Sequence, residues 1–241
     1  MTNRERVTLL VSLAISLLYW GWTYGAYLGS MFVVSLLIHE YGHYHWMGRE
    51  GILNRSMMMM PPFGAVAFAK DMWPSRGAES RIALAGPAFG VLSIAVPLLG
   101  WLIYRDELSR AGIFLVCIIN LFNLCLPIAI LDGGRVIKSL LFSIDRSLGI
   151  FFYHFSVILL FLLVLWFFNI FTVLMGFLLY ISLKNEFRAA MTDPSFINLA
   201  LMSRSEMFNS LLSYSAIIAI FTLVLIGNGF YLKDLLSLLN N

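Results

Sequence analysis

Charge is scarce in this chain. Only 12% of its 241 residues are Asp, Glu, Lys or Arg, while 60% are hydrophobic. A soluble globular domain carries about twice that share of charge, so an ordinary soluble domain is excluded. The net formal charge of +3 is no footprint for nucleic acid, which calls for a strongly basic face. Cysteine is nearly absent too. Cys117 and Cys125 are the only two, and on a helix about 12 Å of rise separates them, beyond disulfide reach. Both read as small core residues, and no disulfide framework or thiolate metal cluster can be built. Histidine occurs four times, at positions 39, 43, 45 and 154. That is too few for the several His clusters of a membrane di-iron oxygenase.

What the chain has instead is long apolar runs, several reaching the roughly 20 residues that cross a bilayer. In lipid the backbone must satisfy its own hydrogen bonds, so the expected fold is an all-α polytopic membrane protein with about six or seven transmembrane helices. The spans are read at 7–20, 26–47, 81–104, 111–131 and 211–226. A run at 148–183, too long for one crossing, is split near Asn169. Arg4 and Arg6 ahead of the first run resemble a signal peptide, but no small-x-small cleavage pattern follows, and Trp20 and Trp22 suit an interface; the segment is read as a retained span. A short amphipathic tail follows residue 226. No repeat and no soluble domain is evident. With the N-terminus inside, the inner segments hold thirteen of the sixteen Lys and Arg residues and the outer ones hold Arg105, Arg110 and Lys233. The positive-inside rule favours this orientation. It brings the inner ends of the second and fourth spans to a similar depth.

One stretch carries chemistry: His39-Glu40-Tyr41-Gly42-His43, the pattern H-E-x-x-H, near the inner end of the second span. Residues four apart share a helix face, so His39 and His43 can address one metal ion with Glu40 beside it to handle a proton. Ionisable side chains at membrane depth cost roughly 2.5–3.5 kcal/mol each, and a bound cation supplies a reason for three of them in five residues. A catalytic metal of this kind needs a third ligand. Asp132, in Leu131-Asp132-Gly133-Gly134 closing the fourth span, is the best placed; Asp71 and Asp145, in charged loops, are the competitors. His45 and His154 fit interfacial hydrogen bonding better than ligation. Gly86 and Gly90, a G-x-x-x-G pair, read as close helix packing. Asn120 and Asn123 read as hydrogen-bonding groups between helices or polarising groups for a substrate carbonyl. The run Met57–Met60 followed by Pro61-Pro62-Phe63-Gly64 and 65–69 is apolar but broken, which suits an interfacial loop or a short re-entrant hairpin whose edge could pair with an unwound strand.

Together, HEYGH in an apolar helix, Ala85-Gly86-Pro87 at the next span and LDGG at the end of another resemble the site-2 protease family of intramembrane zinc metalloproteases, over about residues 30–138. The resemblance implies one zinc ion per chain held by His39, His43 and Asp132, with Glu40 as catalytic acid/base. It implies hydrolysis of peptide bonds within or near transmembrane segments, in regulated intramembrane proteolysis. The substrate partner would be a transmembrane-helix protein, in a multi-pass enzyme of the cell membrane with a cytoplasmic N-terminus. Substrate contacts are carried to Asn123, Phe63 and Gly64. The family motif before LDGG has a second proline where this chain has Ile130, and its Asn lies one position nearer the first proline than Asn123 lies to Pro127. The expected form is compact, without a PDZ or nucleotide-sensing (CBS) domain: a single membrane-embedded peptidase domain over 1–241, with a catalytic core at about 26–138 and accessory helices at about 148–227. The alternative function is a non-catalytic metal-binding membrane protein or metal transporter, which would need further acidic or His residues along its spans.

Overall fold

The computed structural model describes residues 2–229, 234 and 237. It is built almost wholly of helix: α1 (Asn3–Tyr24), α2 (Ala26–Arg49), α3 (Arg76–Ser93), α4 (Ala95–Tyr104), α5 (Glu107–Cys125), α6 (Asp132–Ile144), α7 (Arg146–Trp166), α8 (Ile170–Thr192), α9 (Pro194–Ile197) and α10 (Arg204–Asn228). Between α2 and α3 lies an antiparallel hairpin of β1 (Arg55–Met59) and β2 (Ala65–Ala69). Among the described residues six helices are long and apolar enough to cross a membrane: α1, α3 with α4 taken as Arg76–Tyr104, α5, α7, α8 and α10. The protein is therefore a multi-pass membrane protein of essentially all-α class. The helix carrying HEYGH, α2, is not among the six; His39, Glu40, His43, His45 and Arg49 dilute its apolar character.

Several boundaries are set by local chemistry. Asn169 caps α8, its side chain accepting from the Thr172 backbone N–H while Thr172 returns a bond to the Asn169 N–H, so the long apolar run does divide there. The expected helix at 111–131 stops at Cys125 instead. Pro127 disfavours helical geometry at Leu126 and offers no N–H, and Asp132-Gly133-Gly134 opens α6 rather than closing a span. Cys117 is buried as expected, whereas Cys125 is exposed, which corrects its reading as a core residue. The amphipathic tail read after residue 226 falls largely outside the described residues.

The chain forms two compact units. The first holds α1, α2, the hairpin, the second half of α3, α4, α5 as far as Phe122, and α10 from Ser215 onward. Here Trp20, Val33, Leu36 and Met59 form one core and Leu28, Ala111 and Phe114 another. Polar pairs tie its helices: Ser35 to Ser93 at 3.0 Å, Tyr27 to Ser109 at 2.8 Å, and Arg110 to the Asn228 carbonyl at 2.7 Å. The second unit holds the start of α3, the last residues of α5, α6 to α9 and the start of α10. Its apolar core contains Ala129, Phe142, Phe152, Tyr153, Leu183 and Phe196.

Beside that core lies a buried ionic cluster. Lys138 of α6 is wholly buried, its Nζ 2.6 Å from Glu79 Oε1 and paired as well with Glu186 of α8. Glu79 also accepts from Ser139 at 3.1 Å. Arg76, with its guanidinium between the Phe142 and Phe196 rings, lies 3.5 Å from Glu79 and donates to the Phe196 carbonyl at 3.0 Å. Removing one partner from such a cluster costs roughly 3–5 kcal/mol, because a buried charge is left uncompensated. Helix α8, read from sequence as accessory, is thereby fastened to the helix that begins at Asp132.

Candidate metal centre

His39 and His43 are both buried, one turn apart on α2. Their Nε2 atoms face each other at 3.1 Å. Two features from elsewhere in the first unit make room for this. Gly86 of α3 lies against the pair: a Cβ there would strike the His43 ring and stand 2.8 Å from His39 Nε2. Gly90, one turn on, faces the side chain of Asn120 from α5. Asn120 Oδ1 lies 2.8 Å from His39 Nδ1, and its Nδ2 donates to the Val116 carbonyl at 2.8 Å. The G-x-x-x-G pair is thus close packing with a specific content: it seats two imidazoles and the amide behind one of them. Asn120 joins two helices by hydrogen bonding, as one of its sequence readings held.

Asp132 is buried in the first turn of α6. A carboxylate is favoured there by the helix dipole. Asn123 brackets it: Asn123 Nδ2 donates to Asp132 Oδ2 at 2.6 Å, and the Asp132 N–H donates to Asn123 Oδ1 at 3.2 Å. Side chains at Gly133 and Gly134 would collide with the carbonyls of Leu124 and Ile128. The two glycines let α6 begin hard against the preceding turn, which sets where Asp132 points.

His39, His43 and Asp132 each offer one ligand atom, and these atoms lie within 4.8 Å of one another. This buried group could hold a metal ion, and it is the only group of three such side chains among the described residues. The competing carboxylates are engaged elsewhere. Asp71 accepts from the side chain and backbone of Asn54 at 2.9 and 3.2 Å, bonds that hold its carboxyl below the usual range. Asp145 caps α7, accepting from the backbone N–H groups of Ser147 and Leu148, which likewise lowers it. His154 lies 3.0 Å from the Ile150 carbonyl, and His45 is exposed beside Phe89. Glu40, half-buried, has no hydrogen bond or ion pair among the described residues, so its carboxylate stands unengaged next to a ligand-type histidine.

Phe63 and Gly64 form the turn of the hairpin, where Gly64 takes a φ of +108° that favours glycine. The ladder parity follows from its ends. Met60 N–H bonds to the Gly64 carbonyl and Lys70 N–H to the Asn54 carbonyl, so the mutually bonded positions are Ser56 with Phe68 and Met58 with Val66. The main-chain groups of Ala65, Ala67 and Ala69 therefore point away from β1, and among the described residues they have no partner. On the opposite edge the Met59 N–H is taken by Ser12 of α1 at 3.1 Å. The hairpin packs on α1 and α2, and the outward main-chain groups of its β2 edge have no partner among the described residues.

Spacing alone could not connect Gly86, Gly90 and Asn120 with the histidines, since they lie on other helices; the one signal was their polar or small character inside apolar runs. Comparison with models of known protein families and with curated proteins finds no match for this chain.

Proposed function

We propose that this protein is an intramembrane zinc metalloprotease that hydrolyses peptide bonds within or near the transmembrane segments of other membrane proteins. The observation that carries the reading is the buried group of two imidazoles and one carboxylate with an unengaged glutamate beside it. Two nitrogens each about 2.0–2.1 Å from a tetrahedral zinc stand about 3.3 Å apart, close to the 3.1 Å between the histidine Nε2 atoms. Two nitrogens and one oxygen leave the fourth position for water, the ligand set of a catalytic rather than a structural zinc. When bound, such an ion lowers the pKa of its water toward about 7. Glu40 takes the proton from the attacking water and returns it to the leaving amine. The open β2 edge holds the substrate as an added strand; a transmembrane helix must unwind there, because its peptide groups are otherwise occupied by their own hydrogen bonds. The likeness of HEYGH, AGP and LDGG to the site-2 proteases supports the same assignment. It also supports placing the chain in the cell membrane with its N-terminus inside.

A metal transporter would need a succession of ligand groups. The other buried acidic group among the described residues, Glu79, is paired with Lys138 and Arg76, and a carboxylate so engaged offers a passing cation little.

The test is Glu40→Gln in purified protein, assayed for zinc content and for cleavage of a model transmembrane substrate. Zinc stays at one per chain while cleavage falls to background. Cleavage that persists in E40Q overturns the proposal, as does the absence of bound zinc in the unsubstituted protein.

A further inference from the structure

The two ends of the Asn120 amide are chemically distinct, and their partners identify them. One end meets the Val116 carbonyl at 2.8 Å. A carbonyl only accepts, so that end is the NH2 group. The other end is then the oxygen, 2.8 Å from His39 Nδ1. Two acceptors would repel at this distance, so Nδ1 carries the proton. A neutral imidazole has one N–H, which leaves the lone pair on Nε2, the atom that faces His43. Asn120 is 1% exposed and His39 5%, so both groups are largely withdrawn from solvent. Because a Cβ at position 90 would overlap the amide, the space that fixes Asn120 exists only with glycine there.

We infer that Asn120 is a positioning residue that locks His39 in its Nδ1–H form and so readies Nε2 as a metal ligand. The inference rests on the metal reading above and adds to it the group that selects the tautomer. It also extends the site to α5. A hydrogen-bonded partner behind a ligating histidine fixes ring orientation and raises ligand basicity, and its loss lowers metal affinity about 10- to 100-fold.

The experiment measures zinc affinity by chelator competition, and imidazole nitrogen-15 shifts of the metal-free protein, for the unsubstituted chain, His39→Ala, Asn120→Ala and Asn120→Asp. In the metal-free unsubstituted protein His39 shows a protonated Nδ1 and a bare Nε2. N120A binds zinc about 10- to 100-fold more weakly, and its His39 signals become a tautomer mixture. N120D keeps an acceptor facing Nδ1 but loses the bond to Val116; it restores both the affinity and the tautomer. A purely structural amide predicts the reverse for N120D, damage equal to that in N120A. The inference is overturned if N120A binds as tightly as the parent, if N120D fails to rescue, or if metal-free His39 is protonated on Nε2. Should H39A bind zinc as well as the parent, the metal reading falls instead, and the nitrogen shifts still decide the role of Asn120.

Discussion

The Nε2 atoms of His39 and His43 can meet at 3.1 Å because nothing larger than hydrogen occupies position 86. Gly86→Ala places a methyl group into the His43 ring, and α3 and α2 hold both backbones too firmly for the helices to part. The ring must turn away instead. We expect G86A to bind zinc at least about tenfold more weakly with its helix content intact, measured by chelator competition beside circular dichroism. Gly227→Ala, at a helical glycine with open space around it, is the control and leaves zinc binding unchanged. Parental affinity in G86A would sink this account of the pocket. The same pair of positions shows what sequence can disclose at this scale. His39, Glu40 and His43 were legible because a period of 3.6 converts spacing directly into a shared face. Gly86 and Asn120 were legible only as oddities within apolar runs, because their partners lie 43 and 81 positions away by number and no local period reaches that far.

At the scale of elements the hairpin offers the sharpest test. Ala67 sits mid-strand on β2, and its N–H lies on the open side of the ladder. Proline is tolerated at such edge positions because no ladder bond is lost. Ala67→Pro therefore removes one donor from the free edge and leaves the pairing with β1 in place. One main-chain hydrogen bond is worth about 0.5–1.5 kcal/mol net, so KM for a transmembrane substrate should rise roughly 2- to 12-fold with kcat little changed. An unaltered KM in A67P would remove the edge from substrate binding. In the sequence this segment is an apolar run broken by Pro61, Pro62 and Gly64, which fits a short re-entrant hairpin and an interfacial loop alike. The junction of α5 with α6 is ambiguous in the sequence for a related reason. Asp-Gly-Gly suits a helix end as well as a helix beginning, since glycine follows many C-termini and aspartate precedes many N-termini. The close approach of Gly133 and Gly134 to the Leu124 and Ile128 carbonyls decides for a beginning, and that contact has no local signature. The break at Asn169 was legible because its capping partners lie within three residues.

At the scale of the whole molecule, the distribution of charge between the connections predicts an orientation in the membrane. The helices described fix the connections more narrowly than the sequence did: α1 and α2 meet at Gly25, α4 and α5 at Arg105-Asp106, and α7 and α8 at Phe167 to Asn169. If α2 crosses along with the six apolar helices, these three connections share one face, and Arg105 is their only Lys or Arg. The segments at 50–75, 126–145 and 193–203 then share the other face, with Arg55, Lys70, Arg135 and Lys138 among them. Such a bias sets the orientation during insertion, and it predicts that residues 50–75 face the cytoplasm. Cysteine scanning can read this directly, in a chain whose Cys117 and Cys125 are replaced by serine. Phe168 is 75% exposed in the α7–α8 connection and Leu53 is 81% exposed before the hairpin. Phe168→Cys should react with a membrane-impermeant maleimide on intact cells, and Leu53→Cys only after permeabilisation. The opposite pattern would put residue 53 outside and move the proposed hydrolysis to the outer face; labelling of both from outside would mean that one of the spans between them, α3 with α4, α5 or α7, does not cross.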